Sequence, residues 1–181
     1  MAPSGQNGGW FVMSSGKKTN LALKLGKSKP EEFDALVRLA TDTGMFKKLE
    51  VKVLGELLRD WHTSLAKEGH ICCTLKESDG TPVGFVYHAP AVMTKGTWHL
   101  YWLVVDKNAQ GRGLGKRMVR YAEADARKRG GHHLLAETSG TARYASTRTF
   151  YDKVGYSVEA RVRDFYAPGD DQVIYRKDLR R

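Results

Sequence analysis

The stretch from Leu103 to Gly115 reads Leu-Val-Val-Asp-Lys-Asn-Ala-Gln-Gly-Arg-Gly-Leu-Gly. Apolar residues suited to a strand run into a glycine-rich turn, and a basic amphipathic segment follows. That order places a ring of backbone N–H groups at the start of a helix. A diphosphate binds well there, because unpaired N–H groups and the helix dipole both favour negative charge. Two familiar phosphate loops do not fit. A P-loop needs G-x-x-x-x-G-K followed by Ser or Thr; here Gly115-Lys116 is followed by Arg117, and Gln110 stands where the first glycine belongs. A dinucleotide fingerprint needs G-x-G-x-x-G, but Gly111-x-Gly113 leads to Lys116 and Gly113-x-Gly115 to Met118. What remains is Gln-x-x-Gly-x-Gly at Gln110, Gly113 and Gly115, with Leu103-x-Val105 just before it.

The elements that must position this loop can be read from periodicity and turn chemistry. Asn20 to Leu25 reads as a first strand. Ser28-Lys29-Pro30-Glu31 reads as a capping box with proline in the first turn, leading into a helix through Phe33, Leu36, Val37 and Ala40. A second helix covers Leu49 to Ala66 and ends at Gly69. His70–Lys76 and Val83–Pro90 flank Asp79-Gly80, a hairpin signal, and Thr97–Val105 is the next strand. A helix from Gly113 to Arg129 buries Leu114, Met118, Ala122 and Ala126. His133–Thr138 is a short strand and Thr141–Val154 a helix stopped by Gly155. Tyr156–Phe165 and Val173–Lys177 form a last pair around Pro168-Gly169-Asp170. From periodicity alone this is a mixed α/β domain.

With 181 residues, 41% hydrophobic and 28% charged, the chain fits one soluble domain with a sizeable core. No apolar run approaches the ~20 residues of a membrane span, so no membrane is expected and a cytoplasmic location is. Residues 1–18 read as a flexible leader without the charged and apolar regions of a signal peptide, and 19–181 as the single domain. Cys72 and Cys73 are adjacent in a strand, so their side chains point to opposite faces; buried free thiols in a reducing compartment are expected. The net charge of +10 raises nucleic acid as a partner. No zinc-ligand spacing or aromatic-rich basic motif accompanies it, which disfavours nucleic acid and metal. Arg112, Lys116, Arg117 and Arg120 cluster near the loop, where a phosphate-rich ligand would use them.

The loop, with its strand and helix, closely resembles the acyl-coenzyme A loop of the GNAT superfamily of N-acyltransferases. A second matching piece is Phe150-Tyr151-Asp152-Lys153-Val154-Gly155-Tyr156, similar to the family's aromatic-Tyr-x-Lys-x-Gly-aromatic ending of the fourth helix. The resemblance spans about Asn20 to Leu179. It implies a GNAT-like α/β fold: a central, mixed, mostly antiparallel twisted sheet of six to seven strands flanked by about four helices. It also implies acetyl-CoA as co-substrate. Gln110, Gly111, Arg112, Gly113, Leu114, Gly115 and Lys116 would hold the diphosphate. The pantetheine arm would lie along Leu103, Val104 and Val105, whose N–H groups would polarise the thioester carbonyl. Tyr144, Arg148 and Tyr151 would touch the cofactor from the fourth helix. One departure stands out: many members carry asparagine six or seven residues before this tyrosine, where this chain has Tyr144.

Acyl transfer to an amine needs a base and an acid. A lysine-like amine of pKa ~10.4 costs ~4.6 kcal/mol to deprotonate at pH 7, so a general base is useful. His99 is the first candidate, six residues before Val105; in a regular strand Thr97, His99, Tyr101, Leu103 and Val105 share a face, and a bulge breaks that parity. Glu137, near the end of the neighbouring strand, is the second. Tyr151 is the candidate acid for the departing thiolate, a role the resemblance gives to a tyrosine here. The acceptor would be a small-molecule or peptide amine, received near Asp164–Asp171, with Phe46, Trp61 and His62 as a wall. The expected function is N-acetyl transfer from acetyl-CoA to a primary amine by direct transfer in a ternary complex. The alternative is a non-catalytic coenzyme A-binding regulatory protein. A homodimer is left open.

Overall fold

The computed structural model describes residues 23–180. The expected leader, 1–18, lies outside them. Seven strands form one sheet: β1 (Lys24–Lys27), β2 (Ile71–Lys76), β3 (Pro82–Pro90), β4 (Thr97–Val105), β5 (His133–Ser139), β6 (Ser157–Ala167) and β7 (Asp170–Asp178). Four helices accompany them: α1 (Phe33–Asp42), α2 (Lys48–Thr63), α3 (Leu114–Lys128) and α4 (Ala145–Lys153). The strand order is β1-β2-β3-β4-β5-β7-β6. Only β4 and β5 pair in parallel, and α3 makes the crossover between them, as a parallel pair requires. The expected mixed, mostly antiparallel sheet is the one observed.

Each helix buries one stripe. Leu36, Leu39 and Ala40 of α1 and Leu54, Leu58 and Trp61 of α2 pack with Cys72, Phe85, Tyr87 and Val104 on one face of the sheet. Leu114, Met118, Ala122 and Ala126 of α3 and Tyr151 of α4 pack with Cys73, Val86, Leu100 and Leu134 on the other. Cys72 and Cys73 thus point to opposite layers, both free, and burial pushes the Cys72 thiol up to about 12. The helix start near residue 30 differs from the sequence reading. Lys29, not Ser28, caps it, its N–H donating to Glu32 Oε2 (3.2 Å). The Ser28 hydroxyl is taken into the core by Thr74 Oγ1 (2.7 Å), so a tertiary partner wins over the local cap.

One feature sets the shape of the site and another the edge of the sheet. A Cβ on Gly84 of β3 would sit 2.7 Å from the Val104 carbonyl oxygen and 2.9 Å from Met118 Cε, so glycine lets α3 lie close on β3 and β4. At the far edge, every residue of β6 is exposed, and its pairing with β7 is interrupted twice. Such irregularities blunt an edge strand against pairing with another chain.

Candidate active site

The site begins with an extra residue in β4. His88 of β3 faces Leu100 and Tyr87 faces Trp102, so Tyr101 has no counterpart. This is the bulge that breaks the expected shared face. Leu100 before it and Leu103 and Val105 after it all pack on the α3 layer, whereas Trp102 and Val104 pack on the α1–α2 layer. By alternation from Leu100, His99 therefore points away from the face that holds Leu103 and Val105. The parallel ladder also stops here: β4 meets β5 only from Thr97↔His133 to Leu100↔Ala136. Beyond that point the strands part and Tyr101–Val105 have no strand neighbour on the β5 side. The gap opens into a cleft of about 590 Å3, lined by β4, the loop before α3, α4, Glu137, and Met45 and Phe46 from the α1–α2 connection.

At one end the wall is backbone. The Asp106 side chain accepts from Asn108 N–H (2.7 Å) and shapes a short turn. Gly111 and Gly113 then take left-handed conformations, φ +76 and +75, which glycine adopts without strain. No side chain caps α3, so its first N–H groups have no partner within the helix and face the loop. A Cβ on Gly111 or Gly113 would meet nothing of the protein within 4 Å; the space is open for a ligand. Gly115 differs, because its Cβ would lie 3.2 Å from the Phe150 ring, so it also serves α3–α4 packing. Gln110, Leu114 and Lys116 line the cleft with these glycines, and Gln110 Nε2 donates to the Val105 carbonyl (3.3 Å). Arg112 turns outward to Glu77 (3.3 Å).

The α4 wall carries Tyr144, Thr147 and Tyr151 into the cleft. Tyr151 is 5% exposed and stacks on Tyr175 at 5.2 Å. Burial first, and then the Tyr175 phenol, push its hydroxyl well above the usual tyrosine range, so it stays protonated. The Tyr144 hydroxyl donates to the Met45 carbonyl (3.0 Å), and Arg143 donates to the Gly44 carbonyl; together they strap the α1–α2 connection across the cleft. Arg148 is not among the lining residues. Its guanidinium donates to the Ser139 and Thr141 carbonyls (2.7 and 2.8 Å), which fixes the turn between β5 and α4.

At the opposite end the wall is side chains, Tyr101 and Glu137 among them; His99 and Gln172 are not among the lining residues and reach the cleft only through Glu137. His99 Nδ1 lies 3.6 Å from Glu137 Oε1, so two residues read separately from the sequence stand as neighbours on adjacent strands. Tyr101 stacks on His99 at 5.4 Å and Phe46 lies 5.1 Å from Trp102. Gln172 of β7, missed in the sequence, donates from Nε2 to Glu137 Oε2 (2.5 Å). Nothing in the spacing marks it; only the strand order brings it beside β5. Of the proposed wall, Phe46 lines the cleft, Trp61 is core, and His62 is exposed beside Phe33. The hairpin acids are engaged locally. Asp164 accepts from Gly169 N–H, Asp170 from Ser139 Oγ, and Asp171 pairs with Arg161. Glu137 is the carboxylate left on the cleft wall among the described residues. No cluster of metal-ligating side chains and no helix long and apolar enough to cross a membrane occurs among them.

The family model described as Acetyltransferase (GNAT) family matches residues 34–156. Among solved structures, a protein from Desulfovibrio desulfuricans assigned as an acetyltransferase of that family is 34% identical, with TM-score 0.83, covering 87% of this chain and 99% of that one. An aminoglycoside 6'-N-acetyltransferase complexed with coenzyme A shares the fold at 18% identity and TM-score 0.69, covering 86% and 97%. So does YncA of Salmonella typhimurium, assigned as an acetyltransferase and solved with acetyl-CoA, at 13% identity and TM-score 0.69, covering 88% and 95%. No curated protein matches the chain.

Proposed function

Because the chain belongs to the acetyltransferase (GNAT) family, we propose that it moves an acetyl group from acetyl-CoA to a primary amine by direct transfer in a ternary complex. The observation that carries this is the continuity of one cleft from the backbone cradle at Gly111–Lys116, past Tyr151, to Glu137. The open space beyond Gly111 and Gly113 and the uncapped start of α3 fit a diphosphate. Acetyl-CoA, when bound, supplies an acetyl group already activated as a thioester. The protein supplies the rest. Backbone N–H groups on the free edge of Leu103–Val105 face the gap where a carbonyl is to be polarised. Tyr151, kept protonated by burial, donates its proton to the leaving sulfur. His99, beside Glu137, takes the proton from the amine. Glu137 attracts the amine as an ammonium, with the Tyr101 and Tyr166 rings nearby: burial, and after it the Glu137 charge, raises both phenols.

Release of free thiol from acetyl-CoA, measured over a panel of primary amines, tests the reading. An amine-dependent release supports it. Stabilisation by coenzyme A without any release would leave the non-catalytic binder.

A further inference from the structure

Gln172 is a buried polar group that the fold itself does not require. It is 6% exposed, a polar side chain on a strand whose neighbours Val173 and Tyr175 are core. Its register partners are Ser139 on β5 and Val162 on β6, and neither explains an amide. The amide instead reaches along the sheet to Glu137 Oε2, and it also acts on the Tyr166 phenol. An ionised carboxylate only accepts hydrogen bonds, so the nitrogen of Gln172 must face it. With Oε2 held, the other oxygen of Glu137 is the one directed to His99 Nδ1. The His99 ring is held from a second side by its stack on Tyr101, itself stacked on His70.

We infer that Gln172 is a positioning residue: it holds the Glu137 carboxylate against His99, which sets His99 in the Nδ1–H tautomer with Nε2 free to accept a proton. The use of that free nitrogen rests on His99 being the base of the proposed transfer; the geometry of the three side chains does not. At 3.6 Å the two side chains are within ion-pair reach and beyond hydrogen-bond distance; the carboxylate charge beside Nδ1 favours the hydrogen on that nitrogen. A carboxylate free to turn away leaves the tautomer to solvent. β7 is the bridge that makes this work, since it lies beyond β5 in the sheet although it follows β5 by more than thirty residues in the chain.

The test is nitrogen-15 NMR of the histidine rings in the full chain at alkaline pH, with His99→Gln used to assign the His99 signals. The wild type should show the Nδ1–H form of His99. Gln172→Met keeps the length and removes the donor; it should move His99 towards the Nε2–H form, as should Glu137→Gln. Gln172→Asn, which withdraws the amide by one carbon, gives the same reading if the methionine variant folds poorly. In turnover, Gln172→Met should lower kcat about tenfold with the KM for acetyl-CoA unchanged. The double variant Gln172→Met/Glu137→Gln should be no slower than Glu137→Gln alone, because the glutamine acts through the carboxylate. An unchanged His99 tautomer in both Gln172 variants overturns the inference, as does a double variant whose losses multiply. If no amine supports thiol release while the tautomer shifts as expected, the positioning stands and the transfer reading falls.

Discussion

The two ends of the cleft are built from different parts of the polypeptide. The end at Gly111–Lys116 is main chain: two left-handed glycines and the open start of one helix, all within six consecutive residues. The other end is side chains gathered from β4, β5 and the α1–α2 connection, positions as far apart as Phe46 and Glu137, with Gln172 of β7 bonded to Glu137. On the proposed reading, the backbone cradle meets a group that never changes, a diphosphate, and tolerates almost any side chains that leave the glycines alone. A side-chain wall can be altered one residue at a time without disturbing the cradle, which would suit an end that selects an acceptor.

That contrast can be broken most sharply at Gly113. Gly113→Asp keeps the fold, at a cost of about 1–2 kcal/mol for a left-handed non-glycine residue, because a Cβ there meets no protein atom. It should weaken acetyl-CoA binding by more than about 100-fold, or ~2.7 kcal/mol, read by titration calorimetry. Retained affinity would mean that the cradle does not hold the cofactor. Tyr151→Phe, at the junction of the two ends, should lower kcat about 30-fold while the KM for acetyl-CoA changes less than about twofold. Burial favours the neutral phenol, so the wild-type rate should show no loss from Tyr151 ionisation up to about pH 10, where an ordinary tyrosine begins to ionise.

Smaller effects belong to the acceptor end. Glu137→Gln should reduce kcat/KM for the amine about tenfold, or ~1.4 kcal/mol, with the dissociation constant for acetyl-CoA unchanged; equal damage to both would dissolve the division between the ends. Tyr144→Phe removes the hydroxyl that ties Met45 across the cleft. The loss is ~1 kcal/mol of stability, seen in thermal unfolding, with at most about a twofold rise in the KM for the amine. A large loss of cofactor affinity instead would make Tyr144 a cofactor contact, as the departure from the family's asparagine raises.

The same contrast explains what the chain discloses to a reader. The cradle is contiguous, so Gln110, Gly113 and Gly115 are visible as a pattern, and element order follows from stripes such as Leu54, Leu58 and Trp61. Gln172 is invisible because its meaning depends on β7 lying beside β5. The face of His99 is invisible for another reason: alternation predicts facing only in a regular strand, and one extra residue reverses it. Arg148 and Arg112 show the converse. Their charge suits phosphate, yet carbonyls of the β5–α4 turn and the Glu77 carboxylate, supplied by tertiary structure, take them.

Tyr101 is, in effect, a surplus letter in an otherwise regular word. Strike it out and Leu100, Trp102, Leu103 and Val104 would alternate without error, each on the side it already occupies. The shortened strand could then pair with its parallel neighbour beyond Leu100, closing the gap along which the proposed cofactor would lie.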